Sequence, residues 1–187
     1  GCLLNPMKSI MLFLAISAYA SYVWAAARFF KVTDAGAVRG KGIISALGLL
    51  AIAISLYAIS TAKIGVDVNT SVSIFCFLFS LLIFWWAIET LKTRPLNFAF
   101  ANEAPSKLVS NGPYQILRHP FYTSYMLGWS GALIGSWNVW LLPIPIIMGA
   151  IYLRAANKEE KSFLEGKFRQ EYLDYQSKTW RFLPLVY

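Results

Sequence analysis

The chain has 187 residues, of which 57% are hydrophobic and only 14% are charged, and its mean hydropathy is +0.52. A water-soluble domain is typically about 25% charged, so this composition excludes an ordinary soluble domain and predicts burial in a membrane. The net charge of +8 does not indicate a nucleic-acid binder, because the basic residues stand between apolar runs and form no recognition motif.

Three apolar stretches are long enough to cross a bilayer, which takes about 20 residues of α-helix. They run from about Ser9 to Ala27, from Ile43 to Ala62 and from Val72 to Ile88. Backbone groups in hydrocarbon must be hydrogen-bonded internally, so we expect each stretch to be a transmembrane helix. Trp85 and Trp86, near the end of the third, are typical of an interfacial aromatic belt.

Two shorter apolar runs follow, Phe121–Gly135 and Val139–Leu153, and only residues 136–138 separate them. Each run is marginal as a membrane span on its own. Together they predict a tight helical hairpin with its tip at residues 136–138. We expect Pro143 and Pro145 to bend the second arm, because proline removes a helical hydrogen bond.

From Asn157 to Lys178 apolar residues recur at helical spacing among charged ones, which predicts an amphipathic surface helix. An extended tail, residues 180–184, follows it. The predicted fold is therefore all-α: a polytopic membrane protein with five transmembrane helices and a C-terminal cytoplasmic amphipathic helix. We expect residues 1–92 to form a three-helix part and residues 93–187 to form the functional part. Residues 1–6 are expected to be an addition with no role.

The distribution of basic residues predicts the orientation. Of the 17 Lys and Arg residues, all except Lys8 and Lys63 follow the first helix, the third helix or the predicted hairpin, or lie at its entry. Cytoplasmic segments carry an excess of Lys and Arg. We therefore expect the N-terminus outside and the C-terminus in the cytoplasm.

The densest polar segment, residues 106–122, contains the chain's one histidine. Residues 112–113 are a Gly-Pro turn signal, and Pro120 suits the first turn of a helix. Arg118 and His119 should then lie at the N-terminus of the fourth helix, where two cations beside the positive helix end favour an anion. The same residues also fit simple contact with lipid headgroups, and from residue types alone both interpretations stay open.

The ordered residues of this region resemble a known signature. Asn111-Gly112-Pro113-Tyr114, followed by Arg118-His119-Pro120-x-Tyr122, resembles the isoprenylcysteine carboxyl methyltransferase family, and the phospholipid N-methyltransferases are similar here. The likeness spans roughly Lys107 to Pro184. Its downstream part, in order, is Glu159-Glu160, Phe163-Leu164, Phe168, Glu171-Tyr172, Tyr175 and Arg181-Phe182-Leu183-Pro184.

The resemblance implies an enzyme that binds S-adenosylmethionine at the cytoplasmic membrane surface and methylates a lipophilic acceptor. The residues that carry over as cofactor contacts are Lys107, Leu108, Val109, Tyr114, Arg118, His119, Pro120, Phe121, Tyr122 and Glu160. Arg118 and His119 suit the methionine carboxylate, and Glu160 suits the amino group. The adenine would lie against Leu108, Val109, Tyr114 and Tyr122. Glu160 and Arg181 are the catalytic candidates.

The expected partners are membrane lipids and a lipophilic or lipidated acceptor, with no nucleic acid. An isoprenylcysteine carboxylate is one candidate acceptor, and a phospholipid or small amine is another. A non-catalytic membrane scaffold of the same shape is the alternative outside the enzymes. A carboxylate acceptor needs no base, whereas an amine must lose a proton, to Glu160 or to solvent.

Three residues keep structural interpretations beside their functional ones. Glu159 and Glu160 are expected in the first turn of the C-terminal helix, where two acids favour the helix dipole; the dipole interpretation is preferred for Glu159 and the functional one for Glu160. Arg181 either acts in catalysis or locks the tail through a carboxylate pair.

Two positions depart from the family pattern. Ser106 stands where many members have histidine. Ala156 stands where eukaryotic prenylcysteine enzymes have an arginine that binds the substrate. Arg154 lies two positions earlier, about 200° around a helix, so it is not a simple substitute. These departures weaken the case for a prenylcysteine carboxylate as acceptor.

One histidine and two distant cysteines, Cys2 and Cys76, are too few for a structural zinc site, so we expect no metal.

Overall fold

The computed structural model describes residues 5–29, 35–92 and 108–184. These residues form six α-helices and two short 3-10 turns, and no β-strand occurs among them. The all-α prediction is confirmed. The helices are α1 (Pro6–Phe29), α2 (Ala35–Thr61), α3 (Val68–Lys92), α4 (Pro120–Ser136), α5 (Pro143–Glu165) and α6 (Arg169–Lys178), with the 3-10 turns at Gly112–Gln115 and Val139–Leu141.

Four segments of the described chain are long and apolar enough to cross a membrane: Pro6–Arg28, Gly42–Thr61, Val68–Leu91 and Val139–Glu165. The first three correspond to the predicted spans. The 17-residue helix α4 is shorter than the usual span of about 20 residues. The count of five transmembrane helices therefore stays a prediction.

Helix α4 lies in the middle of the bundle, and its glycines let neighbouring helices approach closely. A Cβ atom on Gly131 would lie 3.3 Å from the Phe77 ring, and one on Gly128 would lie 2.6 Å from the Tyr22 hydroxyl oxygen. Small residues are typical of helix contacts in membranes, where close packing replaces the hydrophobic driving force. The fully buried Phe77, Phe84 and Ile88 of α3 complete this interface.

Hydroxyl groups donate hydrogen bonds to backbone carbonyls of α4. The Tyr22 hydroxyl donates to the Ser124 carbonyl at 3.1 Å, and the Ser73 hydroxyl donates to the Gly131 carbonyl at 2.7 Å. Each such bond satisfies a polar side chain that would be costly to leave unpaired in hydrocarbon. They also hold α1 and α3 to α4, so the bundle gives α4 a rigid position.

Helices α4 and α5 form the predicted hairpin. The Tyr122 ring stacks on Tyr152 with centroids 5.3 Å apart, and the Trp129 indole N–H donates to the Tyr152 hydroxyl at 3.1 Å. Closer to the tip than the Tyr122–Tyr152 pair, Gly149 lies beside Met126. Contacts between early residues of α4 and late residues of α5 mean that the two helices run antiparallel. The start of α4 therefore meets the polar half of α5.

The prolines lie at the start of α5, and the C-terminal helix differs from expectation. Pro143 and Pro145 lie in the first turn of α5, where a missing N–H breaks no helical bond, so they do not interrupt this helix. The arm changes from the 3-10 turn to α5 directly before them, and the bend stays a prediction. The predicted surface helix over 157–178 is not one helix, because α5 continues unbroken to Glu165. The helix ends where Gly166 adopts an extended conformation, and α6 begins at Arg169.

The tail after α6 pairs with the segment before α4 through backbone hydrogen bonds. The Trp180 N–H donates to the Ile116 carbonyl at 2.9 Å, and the Arg118 N–H donates to the Trp180 carbonyl at 2.7 Å. The His119 N–H donates to the Arg181 carbonyl at 3.2 Å. This pairing sets Arg181 beside Arg118 and His119.

Replacing Gly135 by alanine should destabilise the fold. The new Cβ would lie 2.7 Å from the Ser73 Cβ, so α3 and α4 would have to separate. Overpacking of this kind costs about 1–3 kcal/mol. Gly48→Ala is the matched control, because that Cβ would meet nothing within 4 Å. Unfolding in detergent measures both, and equal stability of the two variants would contradict the packing described.

Candidate active site at the start of the α4–α5 hairpin

Local sequence explains how the charged residues are positioned. Pro120 is buried in the first turn of α4, as predicted, and His119 directly precedes the helix. Arg118 and His119 are therefore held where the chain changes from the extended pairing with the tail to the helix. Their side chains are 4% and 6% exposed, which is rare for charged residues without partners.

One carboxylate oxygen, Oε1 of Glu160, is surrounded by three basic side chains. The Arg118 Nε donates to it at 3.2 Å, and the His119 Nε2 lies 3.0 Å from it. The Arg181 Nε lies 3.2 Å away as an ion pair, but its geometry does not make a hydrogen bond. The Glu160 side chain is 10% exposed, so these partners offset much of its lost hydration.

Glu159 faces the other nitrogen of the same imidazole. Its Oε2 lies 3.4 Å from the His119 Nδ1, and its Oε1 accepts a hydrogen bond from the Tyr122 hydroxyl. Neutral imidazole has one N–H, whereas imidazolium has two. Two carboxylates on opposite nitrogens therefore favour the protonated ring.

Competing effects determine the pKa of His119. Burial lowers it, but hydrogen bonds and charge from Glu159 and Glu160 together outweigh burial and raise the pKa above its ordinary value. Because the folded pKa is raised, the resulting stability is complete below the unfolded pKa of about 6.5. It is lost as the pH rises through the folded pKa.

Aromatic rings cover the imidazole. The Tyr122 ring stacks on His119 with centroids 5.5 Å apart, and the Phe182 ring lies 5.6 Å away. The Thr123 hydroxyl donates to the Phe182 carbonyl at 2.7 Å, which fixes the tail over the start of α4. The rings shield the ion pairs from water and so strengthen them.

Arg118 also ties the site to the end of α6. Its Nη1 donates to the carbonyls of Thr179 at 2.6 Å and Gln176 at 3.2 Å. Arg118 therefore stabilises the tail as well as the Glu160 carboxylate. Of the three cations, Arg181 is the one with a buried Nε that has no hydrogen-bond partner among the described residues.

A second group of predicted residues lies on the α6 side. The Tyr175 hydroxyl donates to the Tyr114 carbonyl at 2.8 Å. Burial, and then the charge of Glu159, raises the pKa of the Tyr114 hydroxyl, so Tyr114 lies within electrostatic reach of Glu159. Leu108 and Tyr175 line a cavity of about 350 Å³ together with Thr179, whose carbonyl accepts from Arg118.

The structure brings together Arg118, His119, Tyr122, Glu160 and Arg181, all of which were predicted site residues. Leu108 and Tyr114 lie beside this group, Pro120 supports it from the helix, and Val109 is half-buried next to Leu108. Phe121 instead packs against Phe84 inside the bundle, with centroids 5.5 Å apart. Lys107, like Ser106, lies outside the described residues.

Two site residues were missed or misinterpreted. Glu159 is not in the first turn of a helix, because α5 begins at Pro143, so the dipole interpretation is wrong. It lies outside the first and last turns of α5, where the helix dipole has little effect, and its partners are Tyr122 and His119. Asn157 was missed, and it accepts a hydrogen bond from Arg181. It precedes Glu160 by three residues, so the two are neighbours on the helix surface, and this spacing is the signal that could have identified it.

A comparison with protein families decides the class of the chain. The profile of the phospholipid methyltransferase family matches residues 68–171, more than half of the chain. The chain belongs to this family. The match starts at the first residue of α3 and includes Arg118, His119, Glu159 and Glu160. No curated protein sequence matches the chain.

Membership in the phospholipid methyltransferase family confirms the predicted resemblance and points to a membrane methyltransferase. The apolar segments described above have the length and composition of membrane-spanning helices. In this methyltransferase the matched region carries both carboxylates and two of the three basic groups, whereas Arg181 lies in the tail beyond the match.

The pKa of His119 should fall when Glu159 is replaced by glutamine, because one of the two carboxylates that hold the imidazolium loses its charge. The chain has one histidine, so ¹⁵N NMR of the labelled imidazole in micelles reports this titration alone. Glu165→Gln is the control, since that exposed residue pairs with Lys161. An unchanged or higher pKa in Glu159→Gln would contradict the described geometry.

Proposed function

We propose that the chain transfers a methyl group from S-adenosylmethionine to a phospholipid amine at the membrane surface. The observation that carries this proposal is the cluster of both charge signs at the start of the hairpin. Buried there, Glu160 faces Arg118, His119 and Arg181. The family description, phospholipid methyltransferase, supports the same reaction.

The residues fit the amino acid end of the cofactor, which carries an ammonium and a carboxylate. Glu160 suits the ammonium as a buried carboxylate. Arg181 suits the carboxylate, because its buried Nε has no hydrogen-bond partner among the described residues. Arg118 is less available to bind the cofactor carboxylate than the sequence indicated. Its N–H groups already donate to Glu160 and to the carbonyls of Gln176 and Thr179.

When bound, S-adenosylmethionine supplies a methyl group on a positively charged sulfur. The protein's task is then to position the acceptor and to exclude water. Tyr122, Phe182 and Tyr152 supply apolar ring surface around the charges. Leu108 and Tyr175 offer a further apolar surface for the nucleoside, beside the carbonyl of Thr179.

An amine acceptor must lose a proton to become a nucleophile. Three basic groups stabilise the ionised form of Glu160, which makes it a weak base. Glu159 has one imidazole and one phenol as partners and is 21% exposed, so it is the more accessible carboxylate of the two. This proposal replaces Glu160 by Glu159 in the role of base.

The alternative acceptor, an isoprenylcysteine carboxylate, has less support. The enzymes of that type have an arginine where this chain has Ala156, and Ala156 is fully buried on α5. No cation at that position is available to orient a carboxylate. We also propose that the site faces the cytoplasm, as the basic residues beside the helices indicate.

Replacing Glu160 by glutamine should weaken binding of S-adenosylhomocysteine, the demethylated cofactor, by tenfold or more. The amide lacks the charge that holds the ammonium, and a charge-assisted contact is worth about 1.5–3 kcal/mol. Calorimetry on the purified chain in detergent measures the affinity. Glu165→Gln, an exposed acid on the same helix, should bind normally.

Two results would count against the proposal. If the wild-type chain binds no S-adenosylhomocysteine, the chain is a scaffold of the same shape and not an active methyltransferase. If it binds but Glu160→Gln binds equally well, the cofactor's amino group lies elsewhere. A thermal unfolding curve for Glu160→Gln separates lost binding from lost folding.

A further inference from the structure

The polarity of α5 changes at one residue. From Pro143 to Leu153 the helix is apolar, and Leu153 is 45% exposed. Arg154 follows and is exposed, and the polar residues Asn157, Glu159 and Glu160 come after it. An exposed apolar helix surface belongs in hydrocarbon, so Arg154 lies where the hydrocarbon ends and the lipid phosphates begin.

Arg154 is next to the candidate active site on the same helix. It precedes Asn157 by three residues, which makes the two neighbours on the helix surface about 4.5 Å apart along the axis. Asn157 accepts a hydrogen bond from Arg181, whose Nε lies 3.2 Å from Glu160. Asn157 therefore lies between Arg154 and the ion cluster, which consists of Arg118, His119, Glu160 and Arg181.

The groups of an amine-bearing phospholipid follow the same order as the residues along α5. Its acyl chains come first, then a phosphate, and then an amine about 5 Å farther out at ordinary bond lengths. Along α5 the order is apolar surface, guanidinium, and then the polar edge of the site. Arg154 makes no hydrogen bond or ion pair with the described residues, whereas Lys161 on the same helix pairs with Glu165 at 3.7 Å.

We propose that Arg154 binds the phosphate of the acceptor phospholipid and so holds its amine beside Asn157 and the ion cluster. Arginine suits this role, because its planar guanidinium binds a phosphate through two parallel hydrogen bonds. Arg154 is a positioning residue that selects phosphate-bearing acceptors. This inference rests on the proposed function, since it requires a phospholipid amine as acceptor.

The test is steady-state kinetics of Arg154→Gln on the full chain, in micelles that contain phosphatidylethanolamine and no anionic lipid. We expect KM for the lipid to rise about tenfold while kcat stays within about twofold, since the lost contact acts on binding and not on the reacting atoms. Dodecyl phosphate should inhibit the wild type competitively and inhibit Arg154→Gln about tenfold less. Arg154→Lys should recover part of the loss.

Lys161→Gln is the matched control, because it removes one positive charge from α5 about 10 Å farther from the membrane. An equal rise of KM in this control would mean a general charge effect and would contradict the inference. If KM rises in Arg154→Gln only when phosphatidylglycerol is added, Arg154 binds a bulk anionic lipid and not the acceptor. This result would also contradict the inference.

An unchanged KM in Arg154→Gln would overturn the inference and leave the proposed function intact. A wild-type chain that binds S-adenosylhomocysteine but does not methylate phosphatidylethanolamine would overturn the proposed acceptor, and the inference with it.

Discussion

Oε1 of Glu160 is the point at which three separate parts of the chain meet. Arg118 and His119 come from the entry of α4, Glu160 from α5, and Arg181 from the C-terminal tail, all within 3.2 Å of that oxygen. Few buried carboxylates are tolerated without such partners, since the lost hydration costs several kcal/mol. The ion pairs therefore close the end of the α4–α5 hairpin opposite its tip, and they assemble the charged groups of the candidate active site.

Much of the fold follows from the lengths of apolar runs, because bilayer thickness dictates how many residues a span needs. The continuation of α5 from Leu153 to Glu165 was missed because the polar residues from Arg154 onwards mark a change of environment and not the end of the helix. A helix can leave the membrane without ending. The pairing of Trp180 with Ile116 and Arg118 was not predictable either. It depends on backbone groups, which leave no pattern in side chains.

The sequence predicted most of the residues that form the site, but it predicted less well which of them contact one another. Arg118, His119 and Glu160 do come together, as the ordered motif indicated. The position of Glu159 depended on where its helix begins, and the start at Pro143 turned an expected dipole contact into a contact with His119. Phe121 packs into the bundle because consecutive helical residues point about 100° apart, so it cannot share the direction of Tyr122.

A double-mutant cycle between Arg118 and Glu160 tests most directly whether this ion cluster holds the site together. Arg118→Met, Glu160→Gln and the double variant are unfolded in detergent and their free energies are compared. Each single change leaves a buried charge without its partner, so the account predicts a coupling of about 1–3 kcal/mol, with the double variant less destabilised than the sum. Additive effects within about 0.5 kcal/mol would contradict the account.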